Sequence, residues 1–232
     1  MADSDASVPQ QASLTEGVYA LIESDVPEPR RSVLAPFARL YLRRLPDADV
    51  PDLTPPELLA EIDDLLTFVD DRGDAPRAIR VFRPSEAGEG YETPGSVVQV
   101  VTDDGPFLVD SLTNAIVRSG YEVVRHLHPV VGTDRDADGR LTTCSKAHGA
   151  ARRESVQHFE LGAELGEAEA AKVIATIEQV LDDVDATVRD FEPMRAVVGS
   201  MVAAAKQGVH HYEYEEVAES VAFLEWLLDD NF

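Results

Sequence analysis

Between residues 96 and 192, stretches in which apolar and polar residues alternate are separated by stretches with helical spacing. Successive side chains of a strand point to opposite faces, so the alternation predicts four β-strands, at Val97–Val101, Val123–Val131, Val156–Leu161 and Ala186–Phe191. The second helical stretch carries an apolar stripe of Val173, Ile174, Ile177 and Leu181. The order β-α-β-β-α-β predicts an α+β fold of the ferredoxin-like type, a four-stranded antiparallel sheet with two helices on one face.

Helical spacing dominates on the N-terminal side of this βαββαβ unit. Residues 1–12 are polar and predict a disordered tail. Residues 13–75 predict a small helical subdomain. Its helices are expected at Ser13–Ile22, at Val33–Leu45, and from Thr54 as an N-cap to Gly73.

The βαββαβ domain is expected to occupy residues 76–193. Ala78–Phe82 predicts an additional edge strand, and Asp138-Gly139 predicts the turn of a hairpin. Residues 194–232 predict C-terminal helices, at Met194–Gln207 and Tyr214–Asp230.

The charge balance disfavours some classes of partner. The chain has 44 acidic against 20 basic residues and a formal net charge of −24. Such a field repels phosphate groups, so neither nucleic acid nor a membrane is an expected partner. Cys144 is the single cysteine, and the first residues lack the basic and apolar regions of a signal peptide. We therefore expect a cytoplasmic protein without disulfides.

The connection between the first predicted strand and the first predicted helix is the best candidate for a ligand site. It consists of Asp103, Asp104, Gly105, Pro106, Phe107, Leu108 and Val109. Glycine permits a tight turn and proline suits the first turn of a helix, so the N–H groups that follow could hold a small carboxylate. The alternative is a purely structural connection in which Asp104 lies near the N-cap of the helix.

Two histidines of the second predicted strand are expected near this turn. Alternation places His126 and His128 on one face, and His158 on a neighbouring strand would be the third ligand of a metal site. No carboxylate or thiolate at a suitable spacing accompanies them, so hydrogen-bonded sheet histidines are the preferred interpretation, and no metal site is assigned. The sequence contains no glycine-rich dinucleotide turn, phosphate loop or nucleophile elbow, and no catalytic residue is assigned.

Several motifs resemble the N-terminal region of the large class of bacterial NAD-dependent glutamate dehydrogenases. They are the block Asp104–Ser111, the block His128–Val130, the turn Arg135–Gly139, the pair Glu154-Ser155, and Asp190-Phe191 with Met194. The closing segment Phe223–Phe232 is similar to the helix after which that family continues into further domains. The resemblance covers about residues 96–232, and Gly105 departs from it, because the family commonly has a bulkier residue there.

The resemblance implies an ACT-like regulatory portion of a larger oxidoreductase that interconverts L-glutamate and 2-oxoglutarate with NAD. The NAD-binding and catalytic region would lie downstream, so this chain would need no cofactor of its own. The implied partners are the later domains of the same chain and further subunits of a homo-oligomer. The implied effector is an amino acid at the turn 103–109, with His126 and His128 nearby.

Two functions from different classes stay open on the sequence. In the first, the βαββαβ unit is an allosteric sensor of a small amino acid. In the second, it is a structural module that holds subunits together and binds no small molecule. An independent enzyme with an unrecognised site is a third interpretation.

Overall fold

The computed structural model describes residues 7–207 and 212–229 of the chain. These residues form two compact units, Met1–Val180 and Leu181–Phe232. The predicted tail 1–12 lies partly outside the described residues, and the first helix already begins at Ser7. His210 and His211 also lie outside the described residues.

The described residues form seven α-helices, one 3₁₀ helix and one β-sheet. The helices are α1 (Ser7–Asp25), α2 (Arg30–Leu42), α3 (Pro55–Asp71), α4 (Pro84–Ala87), α5 (Leu108–Arg118), α6 (Glu167–Gln207) and α7 (Tyr214–Leu228), with a 3₁₀ helix at Asp47–Asp52. None of the described helices is both long enough and apolar enough to cross a membrane.

The strands form a single antiparallel sheet. They are β1 (Arg77–Phe82), β2 (Val97–Asp103), β3 (Val123–Leu127), β4 (Val130–Arg135), β5 (Leu141–Lys146) and β6 (Arg153–Leu161). Their order is β1-β2-β6-β4-β5, and β3 also pairs with β6. The edge strand predicted at Ala78–Phe82 and the β4–β5 hairpin are confirmed.

The predictions of a four-stranded sheet and of a final strand at Ala186–Phe191 are wrong. The sheet has six strands among the described residues, and Ala186–Phe191 lies inside α6. Neither glycine nor proline separates this segment from the preceding apolar stripe, so the helix continues through it. The place beside β2 that a last strand would need is taken by β1, which pairs along β2 from Val97 to Thr102. The ferredoxin-like order is therefore not confirmed.

The strand predicted at Val123–Val131 is divided in two. Pro129, which has no N–H to donate, separates β3 from β4, and both strands pair with the same edge of β6. The β4–β5 turn includes Gly139 at φ 80°, a conformation that glycine adopts without strain.

One face of the sheet, the N-helix face, shares an apolar core with α1, α2 and α3. Val101 of β2, Leu127 of β3 and Val156 of β6 belong to one apolar cluster with buried residues of these three helices. The helices of the predicted subdomain 13–75 thus share an apolar core with the sheet. The apolar stripe of α3 explains this packing, because a helix buries its apolar side against another element.

The opposite face, the histidine face, carries His126 and Phe159. Val98 and Val100 of β2 are on this face as well, because Val98 lies directly opposite Phe159 and Val100 opposite Gln157. These apolar side chains are at most 1 % exposed. The buried stripes of α5 and of the first part of α6 supply the apolar cover of this face; they consist of Leu108, Leu112, Ile116, Val173 and Ile177.

Candidate functional site

The turn between β2 and α5 brings the end of a strand to the start of a helix. Asp103 ends β2, Leu108 begins α5, and Phe107 between them has φ 67°. A bulky side chain in the left-handed region is uncommon, and Phe107 is 61 % exposed, so packing does not account for it. Phe107 is the N-cap of α5, and no side-chain hydrogen bond caps the helix, so Asp104 does not have the capping role considered above. The first N–H groups of α5 have no partner within the helix.

Arginines neutralise both aspartates of this turn. Asp103 accepts a hydrogen bond from Nη2 of the buried Arg72 at 2.8 Å, and Nε of Arg152 lies 3.6 Å from the same oxygen. Asp104 lies 3.5 Å from Nη2 of Arg153. The two carboxylates therefore repel an approaching anion less than their formal charges suggest.

Gly105 lies in open space. A Cβ atom built on it meets no other atom within 4 Å, and its backbone is not in the left-handed region. A side chain at this position would therefore project from the turn without disturbing the fold.

A chain of hydrogen-bonded polar side chains, the polar strip, crosses the histidine face. Its members are His126, Gln157, Ser155 and His128. Nε2 of His126 lies 3.2 Å from Oε1 of Gln157, Nε2 of Gln157 donates to Ser155 at 3.3 Å, and Oγ of Ser155 lies 2.9 Å from Nε2 of His128. Because the Gln157 oxygen can only accept, Nε2 of His126 is the protonated nitrogen of a neutral ring. Both histidines are half-buried, whereas Ser155 and Gln157 are buried.

Both histidines are held in the neutral form. Burial, followed by the nearby His128, lowers the pKa of His126 to about 4. Burial and the positive charge of Arg44 lower the pKa of His128, while the charge of Asp104 acts in the opposite direction. The ring of His126 stacks on Phe159, with centroids 3.9 Å apart and planes 6° from parallel. The strip therefore offers neutral hydrogen-bonding groups near physiological pH.

The polar strip adjoins the turn. Ser155 pairs in register with Thr102 of β2, two residues before Asp104. The electrostatic effect of Asp104 on His128 reflects the same proximity. The structure thus brings His128 to the same end of the sheet as the predicted turn residues. His126 lies farther along, opposite Phe159, which pairs with Val98 near the other end of β2.

On the N-helix face, Glu154 forms ion pairs at the same end of the sheet as the turn. Its carboxylate is fully buried and meets three arginines, Arg135 and Arg152 at 3.1 Å and Arg72 at 3.3 Å, and it accepts a hydrogen bond from Thr133 at 2.8 Å. Arg72 also holds Asp103, so the turn is tied to a buried network. The motif pair Glu154-Ser155 therefore contributes one residue to each face of the sheet.

A second ion cluster on the N-helix face joins α3 to the sheet. Arg125 of β3 donates to Glu61 of α3 and to Glu160 of β6, and Tyr41 of α2 donates to Glu61. Burial opposes the charge of Arg125, but Glu61, together with Tyr41 and Glu160, raises the pKa of its guanidinium. Burial raises the pKa of Glu160, but the nearby His158, 3.5 Å away, and the hydrogen-bonded Arg125 outweigh it, and the net pKa is lowered. Arg125 and Glu160 are therefore charged at neutral pH.

The side chains near His158 fit an arginine better than a metal ion. Glu61, His158 and Glu160 each offer a ligand atom, and these atoms lie within 4.8 Å of one another. Arg125 already bonds to both carboxylates, and its positive charge opposes a divalent cation there. The three histidines considered as metal ligands do not converge, because His158 is on the N-helix face and His126 is on the other.

Some residues of this region were not expected from the sequence. Ser155 and Gln157 become partners of the histidines only through the pairing of β3 with β6, and Arg72 reaches Asp103 across 31 positions of the chain. In the sequence, the alternating pattern of β6 does indicate that Ser155 and Gln157 share a face of the strand, but it does not indicate their histidine partners.

Fold and site together define an α+β domain that is built on an antiparallel sheet with helices on both faces. The chain belongs to the family described as glutamate dehydrogenase, ACT1 domain, whose model matches residues 37–177. The resemblance indicated by the motifs is thereby confirmed. The matched region begins within α2, well before the first motif, and so includes α3 and β1.

Two curated relatives agree with this assignment. The chain is 27 % identical over 218 residues to the NAD-specific glutamate dehydrogenase of Halomonas elongata, which covers 91 % of this chain and 13 % of that protein. It is 29 % identical over 233 residues to the NAD-specific glutamate dehydrogenase of Pseudomonas aeruginosa, which covers 98 % of this chain and 13 % of that protein. The chain therefore spans about 13 % of the length of these relatives and corresponds to their N-terminal region.

Proposed function

We propose that this chain is the regulatory N-terminal region of a large NAD-dependent glutamate dehydrogenase and that it binds a free amino acid at the β2–α5 turn. In this proposal the oxidation of L-glutamate by NAD to 2-oxoglutarate, ammonium and NADH belongs to later domains of the longer protein. NAD would bind there, and the chain itself is not catalytic. It acts as an allosteric sensor in a cytoplasmic homo-oligomer.

The observation that carries this proposal is that the turn leading into α5 and one end of the polar strip, formed by Ser155 and His128, meet at one end of the sheet. The exposed N-terminus of a helix attracts a carboxylate, since its N–H groups and its dipole favour negative charge. Neutral His128 and Ser155 add hydrogen-bonding groups on the adjoining strand. Such a pairing of a helix start with neutral polar groups suits a small zwitterion.

The charges around the turn favour an amino acid over a bare dianion. Asp103 is held at 2.8 Å by the buried Arg72, whereas Asp104 has only the longer, 3.5 Å contact with the exposed Arg153, so Asp104 is the more available partner for an ammonium group. A zwitterion can place its carboxylate at α5 and its ammonium group near Asp104. 2-Oxoglutarate has a second carboxylate and no ammonium group, so it makes no such attractive contact with Asp104.

Calorimetric titration of the chain tests this proposal. L-glutamate, L-aspartate, L-arginine and 2-oxoglutarate are the ligands, and we expect saturable binding of at least one amino acid and weaker binding of 2-oxoglutarate. Gly105→Trp is expected to abolish binding while the protein remains folded, because the position lies in open space.

Gly199→Trp is the matched control, since a Cβ atom at Gly199 of α6 also meets nothing within 4 Å. It should leave the affinity unchanged. Unchanged affinity in a folded Gly105→Trp variant, or no binding of any amino acid to the wild-type chain, would contradict the proposed site.

A subunit-joining module is the second candidate, and one feature of the sheet favours it. Among the described residues β3 pairs only with β6, so its other edge has no strand partner. Val124 on β3 and Val117 on α5 are 50 % and 52 % exposed. An open edge next to apolar side chains is able to pair with the same strand of a second copy. Sedimentation of the wild-type chain and of Val124→Lys tests this, and a dimer that the substitution dissociates would support it.

A further inference from the structure

The helix α7 is apolar on two sides. Its half-buried side chains recur along one side, at Val217, Val221, Leu224 and Leu228. On this side α7 is joined to α6 through Nη2 of Arg195, which donates to the Leu228 carbonyl at 2.9 Å. Phe223 and Trp226 lie on the opposite side, with 57 % and 53 % of their surfaces exposed and ring centroids 6.1 Å apart.

The C-terminal part of α6 has the same two-sided character. Val198 and Val202 are buried at 8 % and 9 % exposure. Met194, Val197 and Met201 follow one another at spacings of three and four residues on another side and are 37 %, 60 % and 49 % exposed. Three such residues in helical register form a continuous apolar stripe.

We propose that these two stripes, the α6 stripe (Met194, Val197, Met201) and the α7 stripe (Phe223, Trp226), are the surfaces on which the segment of the longer protein that follows residue 232 docks. This rests on the proposed function, in so far as that function makes the chain part of a longer enzyme. This chain covers 13 % of each relative, so about seven-eighths of each relative lies outside the matched part. Exposed apolar stripes of this kind mark interaction sites.

The charges of α7 disfavour a second copy as the occupant of the α7 stripe. The helix α7 contains four glutamates and neither lysine nor arginine within Tyr214–Leu228, and one of these glutamates, Glu225, pairs with Lys206 of α6 at 2.7 Å. Two copies that met through this surface would bring like charges together at its rim, which costs affinity. The complementary surface is therefore apolar with a basic rim, and it lies in the later part of the longer chain.

Hydroxyl-radical footprinting with mass spectrometry tests this docking. The oxidation rates of Met194, Met201 and Phe223 are compared between the 232-residue chain and the full-length enzyme that contains it. We expect these rates to be several-fold lower in the full-length enzyme. Tyr214, which is 73 % exposed at the start of α7 and away from both stripes, is the internal control and should be oxidised equally in both.

Substitution gives a second measurement. Phe223→Glu and Val197→Glu should lower the midpoint of thermal unfolding of the full-length enzyme and leave that of the 232-residue chain unchanged. Tyr214→Glu should change neither. The docking is overturned if the stripes are oxidised equally in both proteins, or if protection in the isolated chain increases with its concentration, which would indicate a second copy.

These results are separable from a failure of the amino-acid site. Loss of amino-acid binding would leave the footprint of the stripes unaffected, because the titration reports on the β2–α5 turn and the footprint on α6 and α7. Equal oxidation together with intact amino-acid binding would overturn the docking alone.

Discussion

The two faces of the sheet both carry polar side chains, but they complete their hydrogen bonds in different ways. On the N-helix face, Arg125 and Glu154 are buried and meet oppositely charged protein groups. On the histidine face, His126 and His128 are half-buried and neutral, and His128 lies near the turn that leads into α5, a helix whose start has no side-chain cap. Buried charges that satisfy one another stabilise a fold, whereas half-exposed neutral groups next to free N–H groups leave room for a ligand.

This difference explains why the richest cluster of ionisable groups is not the candidate site. Glu61, Arg125, Glu160 and His158 are all at most 7 % exposed, and α3 covers them. Removing one partner from such a cluster leaves a buried charge without compensation. The cluster therefore fastens the helical layer to the sheet, and its variants should change stability rather than ligand binding.

The largest effect is expected for Arg125→Met. It leaves Glu61 and Glu160 buried without their cation, which we expect to cost about 3–5 kcal/mol of unfolding free energy. Urea denaturation followed by circular dichroism measures it. Arg140→Met is the control: Arg140 is 63 % exposed and pairs with Asp70, so its loss should cost under about 1 kcal/mol. Equal costs at the two positions would show that the buried ion cluster of the N-helix face contributes no more to stability than an exposed ion pair.

A smaller effect is expected for Thr133→Val, which keeps the shape of the side chain. The hydroxyl of Thr133 donates to Glu154 at 2.8 Å, and its loss should cost about 1 kcal/mol, measured by the same denaturation. Arg72, Arg135 and Arg152 still hold the carboxylate, so amino-acid binding at the turn should stay as in the wild type. A changed affinity would show that the N-helix face takes part in the site.

The pH dependence of the unfolding free energy should reveal the neutral His126 of the histidine face. The pKa of His126 falls from its ordinary 6.5 to about 4 in the folded protein, so the unfolded chain binds its proton more readily. The contribution of neutral His126 to stability is complete above about pH 6.5 and is lost as the pH falls through about 4. His126→Gln should therefore have a shallower acid slope than the wild type in urea denaturation at a series of pH values. Identical slopes would contradict the neutral, partly buried imidazole.

The sequence predicts most elements of the fold but misses its outer strand order. Alternation at Val97–Val101 and at Val156–Leu161 identifies β2 and β6, since each of these strands is regular and uninterrupted. The alternation at Ala186–Phe191 is equally regular, yet no helix-stopping residue precedes it and β1 already fills the edge of β2. Which strand pairs with the free edge of β2 depends on all the strands of the sheet, and the pattern of a single segment does not reveal it.

The candidate site shows the same limit. Alternation within one strand correctly places His126 and His128 on a common face. The face of His158 depends on the register between β3 and β6, in which His158 lies opposite Leu127 and Phe159 lies opposite His126. A shift of one residue reverses every side chain, so a sequence without that register cannot assign His158 to either face.

The smallest effect on stability is expected at the turn itself. Gly105→Ala adds a methyl group that meets nothing within 4 Å, so the unfolding free energy should stay within about 0.5 kcal/mol of the wild type. Gly132→Ala is the contrasting variant, because its Cβ atom would lie 2.5 Å from Cβ of Ala150 and 2.7 Å from Oγ of Ser145, and overpacking of this kind costs about 1–3 kcal/mol. Urea denaturation of both variants measures the two costs. A Gly105→Ala variant as unstable as Gly132→Ala would show that the turn is packed rather than open, and a packed turn has no room for an amino acid.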